Sequence, residues 1–175
     1  MTGDRGDSDT FLVLGNIIGR SLHVLQPDGR YRAAMQVAWL NAALALENLE
    51  PVSILEGDSD SFDLLDCDID AQEYVEDGPL VSVLVPAYNS QAWLPTAINS
   101  LLQQTWRNLE IVIVDDQSTD NTFEVAKEIA SRHPRVKVLQ NAVNAGPYVA
   151  RNLALSNISG VFVTVHDADD WSHPR

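Results

Sequence analysis

The sequence has a single cysteine, Cys67, among its 175 residues. That excludes an intramolecular disulfide and any cysteine-cluster metal site. Long apolar runs are missing too, and none approaches the ~20 residues that a membrane-crossing helix needs. The start lacks the basic tip and extended apolar stretch of a signal peptide, since Phe11 to Leu14 is short and follows an Asp-rich tip. These absences fit a cytoplasmic protein. Positive charge is scarce, with 11 Lys and Arg against 25 Asp and Glu and a net charge of −14. Nucleic-acid affinity comes mainly from basic side chains on phosphates, so no nucleic-acid partner is expected.

The acidity is unevenly spread. Residues 1–78 carry sixteen Asp and Glu against four Lys and Arg, whereas residues 79–175 carry nine against seven. That step coincides with Gly78-Pro79, a helix breaker, and divides the chain into an acidic, helical N-terminal region and linker (1–78) and a second region (79–175). Two helices are predicted in the first region, roughly Thr10 to Leu25 and Tyr31 to Asn48, around the turn signal Pro27-Asp28-Gly29. Met35, Trp39, Ala42, Ala43 and Leu46 fall at helical spacing in the second. Two isolated helices are rarely stable, so this apolar face packs on a neighbouring domain or forms a docking surface for a partner or membrane. Asp58 to Asp77 is acid-rich with few apolar positions and reads as a loosely ordered connector.

Past the boundary, strands and helices alternate. Leu80 to Pro86 is a near-continuous apolar run, as in a strand buried on both faces. Trp93 to Gln104 is predicted helical, with Leu94, Ala97, Ile98, Leu101 and Leu102 on one face. Leu109 to Val114 is the second strand, and Asp120 is placed to cap a helix from Asn121 to about Arg132. Val136 to Leu139 is a third strand, Pro147 to about Ser156 a helix, and Val161 to Val165 a fourth strand, also expected to be buried. This alternation predicts an α/β fold: a Rossmann-like parallel sheet with flanking helices.

Ligands of open parallel sheets bind at the carboxyl ends of the strands. The polar residues gather there: Pro86-Ala87-Tyr88-Asn89 after the first strand, Asp115-Asp116-Gln117-Ser118 after the second, Asn141 to Gly146 after the third, and His166-Asp167-Ala168-Asp169-Asp170 after the fourth. The last group places three carboxylates within four residues, a mutual repulsion that a cation relieves. Oxygen ligands suit Mg2+ or Mn2+, which share their remaining sites with water and substrate phosphates. The blander alternative makes Asp167 and Asp169 turn and cap residues. Asp115 and Asp116 are similarly placed either for a nucleobase or ribose or as turn acids. Arg151 is placed either for a phosphate or as an exposed helix arginine. No Gly-x-Gly-x-x-Gly follows the first strand, which removes the ordinary dinucleotide fingerprint and leaves phosphate to be held through a metal.

Several blocks in order resemble family 2 glycosyltransferases of the GT-A fold: Val81 to Asn89, Ser100 to Thr105, Glu110 to Asp120, Asn144-Ala145-Gly146 with Ala150-Arg151-Asn152, and Asp167-Ala168-Asp169-Asp170 as an Asp-x-Asp motif. The resemblance covers nearly all of residues 80–175 and none of residues 1–78. It implies a nucleotide-diphosphate sugar donor, most often a UDP-sugar, a metal ion (Mn2+ or Mg2+), and inversion at the anomeric carbon. It further implies a saccharide or lipid-linked acceptor, as in polysaccharide or glycolipid assembly, and a place at the cytoplasmic face of the membrane through peripheral association.

By motif position the resemblance places Pro86, Ala87, Tyr88, Asp115 and Asp116 with the nucleoside, and Arg151, Asp167 and Ala168 on the donor side. Asp169 is the expected direct metal ligand, with Asp167 beside it. Gln117 stands where the family usually has glycine, with a small effect expected in an exposed loop. The acceptor's general base is expected beyond residue 175, so the chain reads as a fragment that transfers little or nothing, an inactive piece of a longer enzyme. Two alternatives stay open: a non-catalytic nucleotide-binding module, and a sugar nucleotidyltransferase, which requires a glycine-rich basic loop where this chain has Ala87-Tyr88-Asn89-Ser90.

Overall fold

A computed structural model of the chain describes residues 29–54, 65–67 and 74–175. The helix expected over Thr10 to Leu25 and most of the acid-rich connector lie outside the described residues. The chain divides into two compact units, residues 1–70 and 71–175.

In the first unit, α1 (Gly29–Leu46) is followed by a short antiparallel pair, β1 (Ser53–Ile54) and β2 (Leu65–Asp66). The Asn41 side chain grips both backbone groups of Val52, donating to its carbonyl and accepting from its N–H at 2.8 Å each. Ala43, Val52 and Cys67 are buried, whereas Leu46, expected on the inward face, is exposed in the last turn of α1.

The second unit runs β3 (Val81–Ala87), α2 (Leu94–Leu102), β4 (Leu109–Asp115), α3 (Thr122–Arg132), β5 (Val136–Gln140), α4 (Pro147–Leu155) and β6 (Phe162–Val165). All four strands pair in parallel, in the order β5-β4-β3-β6. The chain steps outward from β3 to β5, then returns to the other side of β3 for β6. The strand order thus reverses between β3 and β6, and sheets of this kind bind ligands outside the carboxyl ends of the strands at such a switch point. Residues 74–78 also belong to this unit: Val75 bridges to Trp106, and the Arg107 guanidinium lies 3.6 Å above the Tyr74 ring.

The sheet is covered on both faces. Val83, Val85 and Ala87 of β3 and Leu109, Ile111 and Ile113 of β4 pack with Leu94, Ile98 and Leu101 of α2 and Ala126 of α3. The alternate side chains, Leu84, Val112 and Val114, pack against Ala150 and Ala154 of α4. Alternation by two sends successive strand residues to opposite layers, which is why β3 and β4 read as unbroken apolar runs. β6 departs from the expected burial, with all four of its side chains exposed and Phe162 at 57%. Among the described residues it is an edge strand paired with β3, and none of its side chains joins either of the two packed clusters that cover β3 and β4.

One charge sits inside the sheet, away from the carboxyl edge. Glu110 of β4 accepts from the Ser82 hydroxyl at 2.7 Å, the Lys137 ammonium at 2.6 Å, and the backbone N–H groups of Ser159 and Gly160 that lead into β6. Gly160 is required there, since a Cβ would lie 2.4 Å from the Ser82 hydroxyl and 2.7 Å from its backbone nitrogen. Burial by itself raises the Glu110 pKa, but the bonds from Lys137, Ser82 and Ser159 outweigh it and hold the carboxyl at about 2, below its ordinary 4.5. A depressed folded-state pKa contributes stability above the unfolded value that is lost as pH falls toward the folded one. We therefore expect Glu110→Gln to lower stability at pH 7 by about 3 kcal/mol, the equivalent of that shift at ~1.4 kcal/mol per unit. The gap between variant and wild type should narrow below pH 4.5 and close near pH 2, as read from urea unfolding across that range.

Candidate functional site

The loops at the carboxyl edge are stitched to one another by side chains. In the β3–α2 loop, Asn89 adopts the left-handed region at φ +50, and its amide oxygen accepts from the backbone and hydroxyl of Thr119 at 2.8 and 3.2 Å. The Asn89 N–H donates to the Ser118 hydroxyl at 3.0 Å, and Ser90 N–H to the Thr122 hydroxyl at 2.7 Å. Gln91 N–H reaches Asp120, while the Gln91 side chain accepts from Asn121 N–H at 2.9 Å. Asp120 also accepts from the backbone and hydroxyl of Thr122, but Asn121 is the N-cap of α3 and makes no side-chain cap bond, so Asp120 braces the helix start from the residue before the cap instead of capping it as expected. Burial opposes the charge on Asp120, but these donors prevail and hold its pKa below the usual carboxylate value. The result is a braced platform from which Tyr88 projects into solvent beside the half-buried Pro86.

Asp115 and Asp116 take different places at the end of β4. Asp115 is fully buried; one oxygen accepts from Ser118 N–H and the Gln140 side chain at 3.2 and 2.9 Å, and the other has no partner among the described residues. Asp116 is also buried but turns toward the loop between β5 and α4. It accepts from the Asn141 side chain at 2.6 Å, Ala145 N–H at 3.0 Å and Gly146 N–H at 2.7 Å. Desolvation pushes its pKa up, and those three donors more than reverse the push, so the carboxylate stays charged. Gly146 has φ +87, a conformation that suits glycine, and Pro147 then opens α4. Gln117 is more constrained than an exposed loop residue: half-buried at φ +57, it donates its side-chain amide to the Asn141 carbonyl at 3.2 Å. The positive φ explains why glycine suits this position.

The β6 end carries the Asp-x-Asp segment. His166 N–H continues the ladder to the Leu84 carbonyl at 3.0 Å, and Asp170 N–H closes a turn on the Asp167 carbonyl at 3.1 Å. Ala168 is buried within the α2–sheet core, which leaves Asp167 and Asp169 exposed on either side. Ala168, expected on the donor side, thus serves as the anchor of the turn through its side chain. Arg151 of α4 donates to Asp167 at 2.8 Å, and its guanidinium lies 5.6 Å from the Tyr148 ring. The structure therefore brings Arg151 to Asp167, sets Asp115 and Asp116 beneath the neighbouring loops, and leaves Tyr88 on the outer wall.

Two features escaped the sequence reading. Residues 172–174 are strapped along the end of α2: Ser172 N–H to the Ser100 hydroxyl at 3.1 Å, the Gln104 side chain to the His173 carbonyl at 2.7 Å, and Thr105 N–H to the Pro174 carbonyl at 2.7 Å. The polar Ser100, Gln104 and Thr105 in an apolar helix end were the available signal. The second is His166, buried with neither ring nitrogen bonded among the described residues; burial lowers its pKa despite the neighbouring acids.

Asp167 and Asp169 offer carboxylate oxygens, the donor type that suits Mg2+ or Mn2+. No group of three or more His, Cys, Asp or Glu that could hold a metal ion is found among the described residues. The residues fit an ion that draws its remaining ligands from water and substrate, as Mg2+ commonly does.

An open parallel sheet with helices on both faces and acidic loops at its carboxyl edge is a Rossmann-like α/β unit. Comparison with known proteins gives the family. The model described as "Glycosyl transferase family 2" matches residues 82–175, and the chain belongs to that family. The uncharacterized glycosyltransferase YibD of Escherichia coli K12 is 45% identical over 94 residues, covering 54% of this chain and 27% of YibD. The crystal structure of S. aureus TarS 1-349 in complex with UDP matches with a TM-score of 0.50 at 37% identity, over 54% of this chain and 28% of that one. The mannosyltransferase PcManGT from Pyrobaculum calidifontis, in complex with GDP-Man and Mn2+, shares the fold with a TM-score of 0.51 at 21% identity, over 94% of this chain and 40% of that one. The chain spans well under half the length of the curated relatives it matches.

The two kinds of acid at this edge should respond differently to removal. Asp116→Ala strands the buried Asn141 side chain and two loop N–H groups, at a cost of about 1–3 kcal/mol for a buried group left unsatisfied. Asp167→Ala removes a partly exposed ion pair, a contribution of about 0–1 kcal/mol. Chemical denaturation of the two variants should rank them in that order.

Proposed function

We propose that residues 79–175 form the donor-binding part of a glycosyltransferase that moves a sugar from a nucleotide-diphosphate sugar to an acceptor hydroxyl with inversion. The observation that carries this reading is the exposed Asp167 and Asp169 at the carboxyl end of β6, with Arg151 of α4 bonded to Asp167, on the same sheet edge as the braced Tyr88 loop that follows β3. A UDP-sugar is the favoured donor, supported by the likeness to TarS, a structure of which contains UDP.

The division of labour follows from exposure and chemistry. Tyr88 and Pro86 offer an apolar wall to the nucleoside, with Tyr88 free to stack on the base. Ala87 sets the level of the floor by accepting the Asp116 N–H at 2.8 Å. Asp115 and Asp116 shape the pocket from below; the unbonded Asp115 oxygen is a spare acceptor at that floor. Asp169, with Asp167, would hold Mg2+ or Mn2+. When bound, such an ion supplies Lewis acidity that stabilises the departing nucleoside diphosphate. Arg151 supplies a second positive charge from the α4 side. These residues account for the donor half of the transfer; the acceptor side and its base are assigned to no residue here.

Calorimetric titration of the chain with UDP tests the reading. Binding should be at least ~10-fold tighter with Mn2+ than with chelator, and Asp169→Ala should abolish that difference, a loss of at least about 1.4 kcal/mol. UDP binding indifferent to both metal and Asp169 would place the nucleotide elsewhere. A folded chain that binds no UDP would overturn the donor-site reading of residues 79–175.

A further inference from the structure

Arg151 has more hydrogen-bonding capacity than it uses. A guanidinium carries five N–H donors. Its one hydrogen bond among the described residues goes to a single oxygen of Asp167, and its buried Nε finds no partner there. The pair is unevenly exposed, at 27% for Arg151 and 53% for Asp167. The cation is therefore the more buried partner, and the carboxylate is the one open to solvent. Arg151 is also seated firmly: α4 buries Ala150 and Ala154, and the Asp116 carboxylate fixes the loop ahead of the helix.

We infer that Arg151 is the stand-in cation of the nucleotide-free site, occupying Asp167 until a nucleoside diphosphate draws the guanidinium away. The inference rests on the donor-site reading above and deepens it. A divalent ion arriving alone competes with Arg151 for Asp167, so its affinity is depressed. A diphosphate offers the guanidinium a stronger, bidentate partner. Once Arg151 turns to it, Asp167 is released beside Asp169 for the ion. The two ligands thus bind with positive coupling, and linkage requires each to raise the affinity of the other by the same factor. The ion pair also spares the free chain three unneutralised carboxylates within four residues at Asp167, Asp169 and Asp170.

The prediction has opposite signs for the two ligands. In Arg151→Met, Mn2+ alone, followed by electron paramagnetic resonance of the free ion, should bind about 3- to 5-fold more tightly, the range a partly exposed ion pair supports. UDP at saturating Mn2+, followed by calorimetry, should bind at least about 10-fold more weakly, as expected for loss of a charge-assisted contact. Arg151→Lys keeps a point charge without the fork, so Mn2+ affinity should stay near wild type while UDP affinity still falls. It provides a second reading should the methionine variant fold poorly in urea titration. Unchanged or weaker Mn2+ binding by folded Arg151→Met, with normal wild-type UDP binding, overturns this inference and leaves the donor site standing. Tighter Mn2+ binding by Arg151→Lys also overturns it. A wild-type chain that binds Mn2+ but no UDP removes the donor site and this inference together.

Discussion

A carboxylate taken out of water must be surrounded by donors or it costs several kcal/mol. Asp116 meets that demand by drawing in partners that lie far along the chain. Its oxygens gather the Asn141 side chain and the N–H groups of Ala145 and Gly146, so the end of β4 dictates where the β5–α4 loop turns. Gly146 and Pro147 convert that turn directly into the first residues of α4. The helix then presents Arg151 to Asp167 at the end of β6. A single buried charge therefore fixes the spacing between two parts of the carboxyl edge that share no strand pairing.

The same device is used at the opposite end of the sheet. Glu110 collects donors from β3, β5 and the segment entering β6, and so ties together all four strands at the edge opposite their carboxyl ends. Between Glu110 and Asp115 the residues of β4 are apolar, and β4 is buried at every position. The layered packing makes the sheet; the Glu110 and Asp116 carboxylates set how the elements around it are joined. At the ligand edge, the mutual bonding of the Asn89–Gln91 and Ser118–Thr122 segments adds rigidity that apolar packing cannot give to exposed loops.

The sheet and its helices were legible because their signals are local. Apolar runs in β3 and β4, helical spacing at Leu94, Ala97 and Ile98, and proline at the start of α4 each report on a few neighbouring residues. The edge that carries the site was legible for the same reason, since polar residues follow each strand. What those residues touch was not. The partners of Asp116 lie 25 to 30 residues away. Nothing in Asp115-Asp116 tells which acid turns outward. Ala168 between two aspartates gives no sign that it is the anchored residue, and the left-handed backbone at Gln117 shows only as an odd side chain where glycine is usual. The exposure of β6 contradicted its apolar composition, because composition cannot reveal which strand lies at an edge.

That exposed strand bears on how the site is held together over time. Amide protection follows burial and ladder pairing, so the amides of β4, flanked on both sides, should exchange slowest, and those in the middle of β6 fastest. β6 is held at its ends, by Glu110 before it and by His166, Ala168 and the 172–174 strap after it, but little covers Phe162 to Val165. Asp167 and Asp169 thus hang from the least protected strand of the sheet, while Tyr88 and Asp116 stand on the most protected ones. The two sides of the edge therefore differ in what backs them: the loops bearing Tyr88 and Asp116 rest on buried strands, and the turn bearing Asp167 and Asp169 on an exposed one.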